Sequence, residues 1–399
     1  MGLEISPVGS SRDLEAFLSL PSQLRPRDRA NETPPPWLRP LLDRRANPFF
    51  RHADHQLLLA RREGRPVGRV AVYVDHLSNR TLGERAGTFG LFDCVNATRV
   101  AGELLGAAER WLRGQDVDVV RGPLGPSIRV GTGVMVHGQG LPPMPGLSDD
   151  PPELSFLLEQ AGYVPRRDLH AYRTEVGRIP LDVTRSADLA RRRPGLVLRP
   201  VRVDRAHFSD EMMRFGEVIN DLPGMGRASA PWSEAELIWV ARQLKLVIDP
   251  ELVLFIEQDR VPAALGVAVR NFREPLGGRS PSSVPMDFLR AAPSFKLRRL
   301  RSARVAMLAV RPRFLVDAGF GAGARTRGGL MPLLLTELLG RLRLFGVEWA
   351  EVSLVDPTDR PLVELLAAVG AEHYKTYRIY EKNLRGDEER PLSRYTGPP

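Results

Sequence analysis

One cysteine, Cys94, and only four lysines occur in a chain of 399 residues. A lone thiol excludes an internal disulfide framework and fits a reducing compartment, so a cytoplasmic protein is expected. No apolar run reaches the ~18 residues of a membrane span, which argues against a spanning helix. The opening MGLEISPVGSSRDLEAF has acidic residues and no apolar core segment, which excludes a secretory signal there. Histidine is sparse: His52 and His55 have only Asp54 beside them, so no metal is expected. Aromatic residues make up 7% and do not interleave with the arginines, which argues against a dedicated nucleic-acid binder.

What the chain does have is arginine. It supplies nearly all of a net charge of +9 and favours anionic partners: nucleotide cofactors, acidic substrates or nucleic acid. Hydrophobic residues at 43% and charged residues at 26% are those of a chain with a buried core, and the length implies two domains.

The pattern along the chain repeats. Up to Asn47 it reads as a Pro/Arg-rich, loosely helical entry segment. The hairpin QLLLARREGRPVGRVAVYVD is followed by a strand at 87–95, a helix at 100–114 and the short strand VDVVRGP. Residues 122–153 read as a long loop, before a helix at 153–161 and the strand DLHAYRTEV. The second half runs strand, two helices, hairpin, a Gly/Pro/Arg-rich insertion at 272–302, an apolar strand at 303–310, a helix at 330–344, strand 349–355, helix 361–369 and strand 374–382. LLEQAGYVPRRDLHAY (157–172) aligns without gaps with LLAAVGAEHYKTYRIY (365–380), so the chain reads as an internal duplication. The expected organisation is a domain at 1–180, a linker at 181–195, a second domain at 196–388 and a tail at 389–399. The expected fold class is α/β (α+β), each domain having a mixed, mostly antiparallel sheet flanked by helices.

The sharpest chemical signal is VAMLAVRPRFLVDAGFGAGARTRGGLMPLLLTELL. An apolar strand leads through glycines into a helix, which aims free backbone amides at one spot suited to a phosphate. Arg325 and Arg327 stand at its mouth, and Gly328 and Gly329 remove Cβ hindrance. It lacks the Gly-Lys-Ser/Thr end of a P-loop and is not a dinucleotide-binding start.

Through Arg325-Thr326-Arg327-Gly328-Gly329-Leu330 the second half resembles the GNAT acyltransferase superfamily, whose motif is Arg/Gln-x-x-Gly-x-Gly/Ala; here the last small residue is lost. By GRPVGRVAVYVDH, FGLFDCV, VRGPLGPS and YKTYRIYEKNL the whole chain looks like a bacterial group of tandem GNAT-like proteins. The resemblance implies acetyl-CoA or another acyl-CoA as cosubstrate and an amine acceptor. Its pyrophosphate would lie on residues 325–330, and its pantetheine in a gap lined by Leu308–Val310, with Ser353 and Leu354 opposite. Asp359 takes the place of a frequent Asn. The usual acid tyrosine is replaced by Leu365 and Leu366, and Tyr374, Tyr377 and Tyr380 come late enough to read as packed strand aromatics. Candidate catalytic residues are Glu351, Asp359 and Tyr377, with Asp356 and His373 as further bases.

The first half has DCVNATRVAG at the corresponding turn, without the arginine and paired glycines, so it is expected to have lost the cofactor and to act as scaffold. Two alternatives stay open: a transferase taking its acyl group from tRNA or a carrier protein, and a non-catalytic GNAT-fold scaffold.

Overall fold

The computed structural model describes residues 2–24, 38–126, 132–141, 144–222, 230–245, 247–274, 300–315 and 329–385. Among them, one compact unit holds the residues up to Leu169 and from Lys375 onward, and a second holds His170 to Tyr374.

The first unit contains β1 (Leu3–Pro7), α1 (Ser11–Leu24), α2 (Leu38–Leu41), β2 (Ala53–Arg62), β3 (Arg65–Asp75), α3 (His76–Leu82), β4 (Ala86–Cys94), α4 (Thr98–Gly114), β5 (Val119–Gly122), β6 (Val134–His137), α5 (Glu153–Gln160) and the start of β7 (Val164–Glu175). Strands β1 to β4 are antiparallel neighbours, and β5 lies parallel to β4. α4 has Leu104, Leu105, Ala108 and Leu112 at helical spacing. All four are buried on the sheet, where their apolar area drives the packing.

The second unit repeats the order. It has α6 (Leu181–Arg191), β8 (Leu196–Pro200), α7 (Phe208–Asn220), α8 (Glu234–Leu244), β9 (Val253–Gln258), β10 (Val261–Arg270), β11 (Ser302–Val310), α9 (Pro312–Leu315), α10 (Leu330–Leu344), β12 (Trp349–Val355), α11 (Arg360–Ala368) and the start of β13 (Glu372–Asn383). Strands β8 to β11 are antiparallel, and β12 is parallel to β11. The hairpin turns match as well. Glu63–Gly64 and Asp259–Arg260 all have positive φ, the twist a two-residue hairpin requires. α10 carries leucines on several sides because its first two turns are covered on several sides: sheet residues such as Val305 and Val352 and α6 residues such as Val183 share its core, and its C-terminal end, with Leu344, is exposed.

The last strand of each half serves the other unit. Residues His170–Glu175 of β7 pair with β12, whereas Thr376–Asn383 of β13 pair with β5 and β6. Tyr172 faces Val352 and Tyr380 faces Gly122, so the two tyrosines aligned in the sequence hold equivalent registers in the two units.

Three stretches depart from the sequence reading. The entry segment contains strand β1 and the helix α1, which continues through Pro21. The 122–153 loop contains β6. The segment expected as a linker at 181–195 carries α6, whose Val183, Ala187 and Ala190 are buried in the second unit's core. The expected tail at 389–399 lies outside the described residues.

Candidate active site

β11 and β12 pair in parallel only from Ser302/Trp349 to Val305/Val352, although both strands run on. Both strands are irregular there: Leu354 is an extra residue of β12 against β7, and β11 has one of its own. Against β10, Met307 faces Val267 and Val305 faces Ala268, so Ala306 is an extra residue and β11 bulges there. A bulge bends its strand and shifts the side-chain alternation by one. Ala303 and Val305 therefore share the α10 side of the sheet with Leu308 and Val310, and Met307 and Ala309 turn to the α7 side. Beyond the bulge the strands fork, and residues 307–310 keep, among the described residues, a ladder neighbour on their β10 side alone.

A buried polar group sits at the root of this fork. Glu351 is fully buried on β12. The Ser353 hydroxyl donates to Glu351 Oε1 at 2.5 Å, and the Tyr374 hydroxyl donates to Glu351 Oε2. Arg304, next to Glu351 on β11, donates through Nε to Ser353 Oγ at 3.0 Å. Burying a carboxylate and a guanidinium is costly unless hydrogen bonds compensate, and here they do. His170 and His373 stack close by in sequence, with ring centroids 4.2 Å apart, and Tyr172 lies against His373.

The other candidates are placed as follows. Asp359 caps α11, its carboxylate accepting from the Leu362 amide at 3.3 Å; burial raises its pKa while that amide lowers it. Tyr377 is fully buried in the first unit, opposite Met135. Arg325, Thr326, Arg327 and Gly328 lie outside the described residues. Gly329 precedes α10, but its amide donates to Ser186 Oγ of α6 at 3.0 Å. Leu330 begins the helix and is buried, and Pro332 in the first turn has no amide to offer. Of the amides expected at the phosphate seat, one is thus already used within the protein. Sequence reasoning named Glu351 but missed Arg304 as its neighbour and took Tyr374 for a packing residue.

The equivalent fork of the first unit is filled by its own chain. β4 and β5 pair only to Thr88/Arg121, after which the Leu124 amide donates to Phe89 O at 2.7 Å. The Leu124 carbonyl oxygen is so near Gly90 that a Cβ there would meet it at 2.2 Å, which is why glycine is needed at that point. Cys94 is buried, its thiol pushed up to about 12 by that burial, as suits a structural thiol. Ala97, without a side-chain bond, precedes α4, in place of a capping Asn or Thr. Among the described residues no group of three or more His, Cys, Asp or Glu could hold a metal, and no helix is long and apolar enough to cross a membrane.

No family model matches the chain. It is 31% identical over 398 residues to a protein of Caulobacter vibrioides (strain NA1000 / CB15N) named bacterial ceramide synthase, covering 96% of this chain and 98% of that one. The chain belongs to that protein's family. A second relative, protein YghO of Escherichia coli (strain K12), is 28% identical and covers 94% of each chain. In structure the chain resembles a tandem GNAT protein from the clavulanic acid biosynthesis pathway, with a TM-score of 0.52 and 14% identity over 97% of this chain and all of that one. The family member described here therefore has the tandem GNAT fold that the duplication and the Arg325–Leu330 motif implied.

Proposed function

We propose that this protein is an N-acyltransferase that moves a long-chain acyl group from acyl-CoA to the amine of a long-chain amino alcohol, the bond formation that makes a ceramide-type amide. The observation that carries the reading is the end-to-end similarity to a protein named bacterial ceramide synthase. The fork in the second unit supports it: the edge of Met307–Val310, which no described strand pairs, can hydrogen-bond an extended amide-bearing arm, as an added strand would. Arg325 and Arg327 would hold the pyrophosphate, with Thr326, Gly328 and Leu330 supplying backbone to the same turn; Leu308 and Val310 would flank the arm. A thioester is already activated, so the protein has chiefly to position the amine and remove a proton. Acyl-CoA and the amine are the only partners this requires, and a cytoplasmic enzyme could meet both.

The test is acyl transfer by the purified chain from palmitoyl-CoA and, separately, acetyl-CoA to sphinganine, with amide formation followed by mass spectrometry. Sphinganine acylated from palmitoyl-CoA is the expected outcome. Transfer from acetyl-CoA alone would keep the acyltransferase and discard the long-chain donor. No transfer from either, and no binding of CoA up to millimolar concentration, would overturn the reading and leave the tRNA-dependent and scaffold alternatives.

A further inference from the structure

We propose that Tyr374 is the catalytic residue through which a proton leaves the acceptor amine, with Glu351 holding that proton inside the second unit and Ser353 and Arg304 positioning Glu351. The proposal rests on the N-acyltransferase reading above.

Access is the first argument. Glu351 is 0% exposed, Ser353 4% and Arg304 9%, whereas Tyr374 is only partly buried. A proton reaching Glu351 from a ligand in the fork therefore has a path through the Tyr374 hydroxyl, already hydrogen-bonded to Oε2. A hydroxyl both donates and accepts, so it can pass a proton along; a guanidinium only donates.

The second argument comes from the duplication. Glu351 is opposite Arg173 across β12 and β7, and Arg121 is opposite Glu381 across β5 and β13. These are equivalent positions with the charges reversed. In the first unit the pair closes as an ion pair, Arg121 Nε donating to Glu381 at 2.7 Å, with Glu84 on the same guanidinium. In the second unit Arg173 lies over the Trp349 ring, 4.5 Å from its centroid, and the hydroxyls of Ser353 and Tyr374 donate to the carboxylate. The position that carries an ion-paired guanidinium in one copy carries a hydroxyl-linked carboxylate in the other, beside the fork.

The step balances as follows. The acceptor arrives as an ammonium, and one of its protons passes to the Tyr374 oxygen as the Tyr374 hydroxyl proton passes to Glu351. The freed amine forms the C–N bond to the thioester carbon. The C–S bond breaks, its electron pair leaves on sulfur, and the thiolate takes up the second amine proton. Amide and thiol result, and Glu351 returns its proton to water through Tyr374.

Single-turnover transfer from palmitoyl-CoA to sphinganine tests this in the full chain. Tyr374→Phe removes one oxygen and should slow transfer roughly 10²–10⁴-fold, the usual worth of general acid–base catalysis, with acyl-CoA affinity within about twofold of wild type. Glu351→Gln should slow it similarly, and the double variant no further, because residues acting as one unit are not additive. A wild-type rate in Tyr374→Phe, or a double variant whose losses multiply, would overturn the relay while leaving the acyltransferase reading intact. Should the Glu351 variants not fold, Tyr374→Phe decides alone. A wild type that neither binds acyl-CoA nor transfers overturns the acyltransferase reading and the relay together.

Discussion

The two forks of this protein hold equivalent places in their units and differ in what fills them. In the first unit, residues following β5 stay against β4 and Leu124 bonds Phe89, so the chain serves as its own ligand. In the second, the Ala306 bulge turns β11 away from β12 and nothing described closes the gap. The same fold can therefore hold or refuse a bound strand-like arm by where a few residues after one strand travel. Both copies can keep the architecture while their forks differ.

The largest expected effect comes from forcing the closed fork open. Gly90→Val places a side chain on the Leu124 carbonyl and should cost more than about 3 kcal/mol, read by denaturant unfolding. A near-neutral result would mean the first fork is only loosely closed. Acid should act through the same unit. Burial lowers the His55 pKa from 6.5 to about 4, so the unfolded chain binds its proton first. That stabilisation is present above pH ~6.5 and is lost as pH falls towards 4, on the order of 2–3 kcal/mol; His55→Phe should flatten stability measured over that window. If only the second fork is open, calorimetric titration should find one CoA site per chain. Arg325→Ala with Arg327→Ala should weaken that site by about 1–3 kcal/mol, and two equal sites would contradict the asymmetry. The smallest change is Ser186→Ala, which unpairs the Gly329 amide and should cost about 1 kcal/mol in thermal unfolding. Unchanged stability would show that water replaces the serine.

Much of this was legible. The helical spacing in 100–114 and 330–344 and the apolar strand 303–310 are local patterns, and the structure places elements on them nearly residue for residue. Glu351 could be named because a carboxylate in an apolar strand is conspicuous. Tyr374 and Arg304 could not be linked to it. Tyr374 reaches Glu351 across 23 residues and Arg304 reaches Ser353 across 49, and both contacts depend on strand register, which a period-two pattern leaves open. The bulge at Ala306 left no mark either, since alanine fits a bulge and a regular strand equally. The exchange of β7 and β13 was hidden by the likeness that revealed the duplication: strands so similar suit either sheet.

That exchange has a consequence for biosynthesis. The first unit needs Thr376–Asn383, which leave the ribosome roughly 200 residues after β7. At about 5–20 residues per second the nascent first half waits on the order of 10–40 s with an unpaired strand edge exposed. A gene cut between the halves would deprive each product of the strand it takes from the other half.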